Sequence, residues 1–148
     1  NKEYIMKPNF KKLKLHKKLN NNVAILKLFP GITKEFVHHT LNTPNLKALI
    51  IETYGSGNAP TASWFIDGLK EAIDKGLIVY NVTQCKSGSV EMGRYETSLD
   101  LNRIGVLSGH DITTESAIAK LMYLLGEGYT PEKTKELLQT PIRGEMTI

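Results

Sequence analysis

At 148 residues, with 41% hydrophobic and 23% charged side chains, the chain has the make-up of one ordinary globular domain. Its single cysteine, Cys85, excludes an internal disulfide and a cysteine-based zinc site, and the four histidines do not stand at ligand spacings, so no metal is expected. The net charge of +4 is unevenly placed: residues 1–20 carry +6 and the remainder −2, a basic tail of the kind that can bind nucleic acid, but with no arginine interleaved among its lysines it reads as a solvated linker.

Residues 1–22 show no helical period and end in Asn20-Asn21-Asn22, which is turn chemistry, so they read as an interdomain linker ahead of a domain over 23–148. They resemble no signal peptide, and no window approaches the ~18 apolar residues of a membrane span. Val23–Leu28 is a short apolar run closed by Pro30-Gly31 and predicts a strand. Thr33 then caps a helix that runs to about Leu41, with Glu35 in its first turn. Leu46–Thr53 predicts the second strand. Ala62, Phe65, Ile66, Leu69 and Ile73 recur at helical spacing, and Gly76 ends that helix.

Leu77–Val82 predicts the third strand, followed by a Gly/Ser-rich loop and a short helix over Thr97–Asn102. Ile104–Leu107 predicts the fourth strand. Ile118, Leu121, Met122 and Leu125 mark a helix capped by Thr113, and Thr130-Pro131 opens the last one. Short, continuously apolar strands separated by helices belong to parallel strands buried on both faces. The expected architecture is a three-layer αβα sandwich around a parallel sheet of about four strands, Rossmann-like in kind.

Ligands of open parallel sheets bind at the carboxyl ends of the strands. Four segments occupy those ends here: Pro30–Thr33, Tyr54–Pro60, Thr83–Cys85 and Ser108–Asp111. In the second, two glycines allow close backbone approach, and Asn58 brings both a donor and an acceptor. Asn58 could recognise an α-amino acid beside a helix N-terminus, or it could cap a helix whose first turn contains Pro60. Cys85 could be a nucleophile with His110 as its base, or a small buried thiol packed after a strand. Glu96 reads as an acid in a polar loop, and His110-Asp111 as residues that shape the turn into the next helix. Residue types and spacing alone yield no catalytic constellation.

Several segments carry a resemblance: VAILKLFPGIT (23–33), LIIETYGSGNAP (49–60), VYNVTQCKSG (79–88), Tyr95-Glu96-Thr97, IGVLSGHDIT (104–113) and LMYLL (121–125). In order along the chain they resemble the C-terminal domain of bacterial cytosolic-type L-asparaginases, and Lys7–Phe10 resembles the linker of that family. The resemblance implies hydrolysis of L-asparagine to L-aspartate and ammonia by a threonine nucleophile, in a cytoplasmic homo-oligomer without cofactor, nucleic acid or membrane partner.

In that family the nucleophile lies in a Thr-Gly-Gly-Thr-Ile stretch of the N-terminal domain, and this chain contains no such stretch. What the resemblance assigns to this domain is completion of a neighbouring subunit's substrate site by Asn58 and Glu96, with Tyr95 beside it. Cys85 matches a cysteine of the second, activating asparagine site of some members. Glu52 stands where those members carry an arginine, a reversed charge that argues against such a site here. Two other readings share the fold: the asparaginase-like subunit of the archaeal glutamyl-tRNA amidotransferase, and a non-catalytic amino-acid-binding or oligomerisation module.

Overall fold

The computed structural model describes residues 14–91, 93 and 96–147, without the side chains of Glu96 and Thr97. Four strands, β1 (Val23–Lys27), β2 (Ala48–Thr53), β3 (Ile78–Thr83) and β4 (Leu107–Ser108), pair in parallel and in consecutive order. Five helices accompany them among the described residues: α1 (Lys34–Leu41), α2 (Ser63–Asp74), α3 (Glu96–Arg103), α4 (Thr114–Gly126) and α5 (Pro131–Leu138). Among the described residues no helix is long and apolar enough to cross a membrane.

Consecutive parallel order follows from right-handed crossovers repeated in one direction, which place the connecting helices on a common face. Leu49, Ile51 and Val79 accordingly pack with Val37 of α1, Phe65 and Leu69 of α2 and Leu101 of α3. The alternate residues Ala48, Ile50, Ile78, Tyr80 and Val82 pack on the other face with Ala117, Leu121 and Leu124 of α4 and Leu138 of α5. Side chains of a strand alternate between faces, so two covered faces require an unbroken apolar run. β2 and β3 fit that rule. β1 departs from it, because it is an edge strand whose Ile25 stays 43% exposed.

The helix boundaries obey local chemistry. Thr33, Thr113 and Thr130 each accept a hydrogen bond from the backbone N–H three residues on, as N-caps do. The fourth strand is the clearest departure from expectation, since pairing begins at Leu107 rather than Ile104. Residues 104–106 instead finish α3. Gly105 adopts φ +95°, its N–H bonds the Asn102 carbonyl (3.0 Å), and the Val106 N–H bonds the Leu101 carbonyl (3.1 Å). This left-handed glycine ending absorbs residues that composition alone reads as strand.

Residues 14–22 form no helix or strand, and they lie along the end of α4. The Asn20 N–H donates to the Met122 carbonyl (3.0 Å), and a Cβ on Gly126 would stand 2.3 Å from the Lys18 carbonyl oxygen. Beyond α5 the chain forms a strap over the α4 face. Lys120, 6% exposed, anchors it: its ammonium donates to the Leu138 and Thr140 carbonyls (3.0 and 2.7 Å) and pairs with Glu145 (2.7 Å).

Candidate functional site at the carboxyl rim of the sheet

Hydrogen bonds join the carboxyl ends of the strands, and the Gly109 N–H on the Asn81 carbonyl (2.8 Å) brings in the fourth. Gln84, directly after β3, donates through Nε2 to the Leu28 carbonyl (2.7 Å) and the Glu52 carbonyl (2.8 Å), tying the ends of three strands together. Thr53 Oγ1 lies 2.7 Å from Asn81 Oδ1 and 3.2 Å from the Val82 carbonyl, and its one proton favours the shorter partner. Both Thr53 and Asn81 are fully buried, so this pair satisfies polar groups that water cannot reach.

The segment around Asn58 is a closed loop. Tyr54 and Asn58 exchange backbone bonds in both directions (2.9 and 2.8 Å), and the Gly57 N–H also reaches the Tyr54 carbonyl (3.0 Å). Gly57 sits at φ +112°, and a Cβ there would lie 3.0 Å from Val90 Cγ1, so both backbone shape and close packing require glycine. From the β3 side, the Thr83 hydroxyl donates to the Gly55 carbonyl. From the segment that leads to α3, the Glu91 N–H donates to the Ser56 carbonyl (3.0 Å). The loop is thus held by its neighbours, with Asn58 half-buried within it.

The expectation that Asn58 caps the following helix is corrected. α2 begins at Ser63 behind Ala62, which makes no side-chain cap, because Pro60 and Thr61 carry the chain past Asn58 before the first turn forms. The N–H groups of the first turn of α2 therefore lack the threonine cap that closes α1, α4 and α5.

Cys85 is exposed rather than packed, which corrects the buried-thiol reading. β3 ends at Thr83, and the following turn, closed by the Gly88 N–H on the Cys85 carbonyl (3.0 Å), lifts the thiol out over the rim. Among the described residues no hydrogen bond or ion pair joins Cys85 to His110, so the Cys/His pair finds no support. Glu96 opens α3 instead of lying in a loop. Tyr95, and the Glu96 side chain, lie outside the described residues.

Glu52 is occupied locally. Its carboxylate pairs with Lys27 (3.2 Å) and accepts from the Thr114 hydroxyl (2.6 Å). Among the described residues no cluster of His, Cys, Asp and Glu could hold a metal ion. A groove of about 670 Å³ between α1 and α2, lined by His38, Trp64 and Gly68 among others, lies apart from Asn58 and Cys85. Gln84 and Thr83 are rim residues to which sequence reasoning assigned no role. Their signal was positional, since polar side chains that immediately follow a buried strand must find main-chain partners.

The chain is similar to known proteins over most of its length. Residues 22–138 match the model of the glutaminase/asparaginase C-terminal domain. L-asparaginase 1 of Escherichia coli K12 is 41% identical over 125 residues, covering 84% of this chain and 37% of that enzyme. The 60 kDa lysophospholipase of Homo sapiens is 40% identical over 149 residues, covering 99% of this chain and 26% of that protein. The crystal structure of L-asparaginase I from Vibrio cholerae superposes with a TM-score of 0.87 at 40% identity, covering 94% of this chain and 42% of that one. The chain spans less than half the length of each of these relatives.

Proposed function

The chain belongs to the glutaminase/asparaginase C-terminal domain family, and from that premise we propose that it is the C-terminal domain of an L-asparaginase whose rim completes the substrate site of a neighbouring subunit. The observation that carries this reading is the rim itself. Thr83 joins the segment after β3 to the Asn58 loop, Val90 and Glu91 link that loop to the His110 turn, and the loop bearing Asn58 is closed on itself and braced from two sides. A recognition group held this way meets its ligand without first being ordered.

In this reading Asn58 hydrogen-bonds the polar end of L-asparagine. Glu96 holds the α-ammonium group through a charge-assisted bond. The side-chain-uncapped start of α2 favours the α-carboxylate. The amide bond is attacked by a threonine in a Thr-Gly-Gly-Thr-Ile stretch, which this chain does not contain. Residues 1–22 then serve as the linker between the two domains.

Two measurements test the proposal. The purified chain should release no ammonia from L-asparagine, and release above background would overturn the division of labour. In the full-length polypeptide, Asn58→Ala should lower kcat/KM by roughly ten- to one-hundred-fold, the equivalent of one or two lost hydrogen bonds to substrate. Unchanged kinetics would return Asn58 to a purely structural role.

A further inference from the structure

The segment Gln139–Thr147 crosses the α4 face and finishes at the rim, where it is caught by one side chain. Asp111, in the turn between β4 and α4, accepts two hydrogen bonds from Thr147: Oδ1 from the backbone N–H (2.7 Å) and Oδ2 from the hydroxyl (2.6 Å). Thr147 is thereby a fixed point. The preceding Met146 is 3% exposed, and Glu145 is locked to the buried Lys120.

The turn that Asp111 clasps needs holding. His110 sits at φ +53°, a left-handed conformation that costs a non-glycine residue energy and persists only where the surroundings impose it. Its N–H bonds Ser108 Oγ (3.2 Å), and its carbonyl accepts the Val90 N–H (2.8 Å). Val90 in turn packs against Gly57, and the next residue, Glu91, bonds the Ser56 carbonyl (3.0 Å). A contiguous path of bonds and contacts therefore runs from Thr147 through Asp111, His110 and Val90 to the Ser56–Asn58 loop.

We propose that Asp111 is a positioning residue: by clasping Thr147 it fixes the His110 turn, and through Val90 it sets the position of the Ser56–Asn58 substrate loop. The proposal rests on the substrate role assigned to that loop above. Asp111 is exposed, so replacing it opens no cavity and leaves the core intact.

The test uses Asp111→Ala and Asp111→Asn in the full-length polypeptide, read by amide hydrogen exchange at Val90 and Glu91 and by steady-state kinetics with L-asparagine. Asp111→Ala should accelerate exchange at both amides and raise KM by roughly ten-fold at nearly constant kcat, within the hundred-fold that a displacement of about 1 Å can cost. Asp111→Asn keeps an acceptor for the Thr147 N–H and should recover most of both effects. Unchanged exchange at the two amides overturns the coupling. Accelerated exchange with an unchanged KM overturns the positioning role. In that event Asn58→Ala identifies the fault: impaired turnover there leaves the loop's role standing and removes Asp111 alone, whereas intact turnover removes the loop's role as well.

Discussion

The rim and the strap solve the same problem with different chemistry. Both must satisfy main-chain carbonyls that emerge from regular structure. At the rim the donors are neutral: Gln84 serves the Leu28 and Glu52 carbonyls, and Thr83 serves Gly55. Under the strap the main donor is an ammonium: Lys120 serves the Leu138 and Thr140 carbonyls while it pairs with Glu145, and the Tyr80 hydroxyl adds a second bond to Leu138 (2.9 Å). Neutral donors carry little desolvation cost and can sit half-open to solvent. A buried ion is tolerable only when all its partners are present. The rim therefore sits half-open to solvent, as Asn58 does, while the strap is a closed fastening suited to anchoring.

The contrast is broken most severely at Lys120. Lys120→Met keeps the aliphatic stem but removes the ammonium, leaving the Glu145 carboxylate without its counter-ion and the Thr140 carbonyl without its donor, while the Leu138 carbonyl keeps the Tyr80 hydroxyl (2.9 Å). Glu145 retains the Ile142 and Arg143 N–H groups and some solvent contact (14% exposed), so the loss should be about 3 kcal/mol, the lower end for breaking a buried pair. Urea unfolding of the variant measures it, and a loss below about 1 kcal/mol would make the strap an ordinary surface segment.

The rim should give way less. Thr53→Val preserves shape and β-branching but strips Asn81 Oδ1 of its 2.7 Å partner in a fully buried setting, which should cost about 1–2 kcal/mol. The same unfolding experiment reads it. A cost as large as that of Lys120→Met would erase the distinction between neutral and ionic fastening.

The two regions also differ in how far the sequence reveals them. β2 and β3 were legible because six consecutive positions must be apolar, or internally satisfied, to lie between two helical layers. The threonine caps and the strand-end loops were legible for the same local reason. β4 was displaced because Ile104 and Val106 look like strand yet complete the ending of α3. The position of Cys85 depended on the direction of a turn, which composition does not encode. Lys120 was invisible altogether: it neighbours Leu121 on α4, and only a strap arriving from beyond α5 turns that flank of the helix into interior. Such contacts join distant parts of the chain and leave no periodic trace.

Acid pH separates the two regions further. Burial alone would push the Glu145 carboxyl up, but Lys120 and the N–H groups of Ile142 and Arg143 outweigh it and hold the group at about 2, against 4.5 for a free carboxyl. Burial pushes the Lys120 ammonium down, and Glu145 opposes that shift, so Lys120 remains the charged partner through the acid range. A carboxyl whose folded value lies below its unfolded value stabilises fully above the unfolded value, and the stabilisation drains away as pH falls toward the folded one. The contribution should thus be complete above pH 4.5 and lost progressively down to about 2. The rim's Thr53–Asn81 and Gln84 bonds contain no titrating group and contribute nothing to this limb. Glu145→Gln can still accept from Lys120 but cannot titrate, so its stability should fall less steeply over the same window. Thermal unfolding of both proteins at several pH values between 5 and 2 measures the difference. Parallel curves would mean that the strap's ion pair contributes no more to acid sensitivity than an exposed surface pair, and the assignment of anchoring to that region would fail.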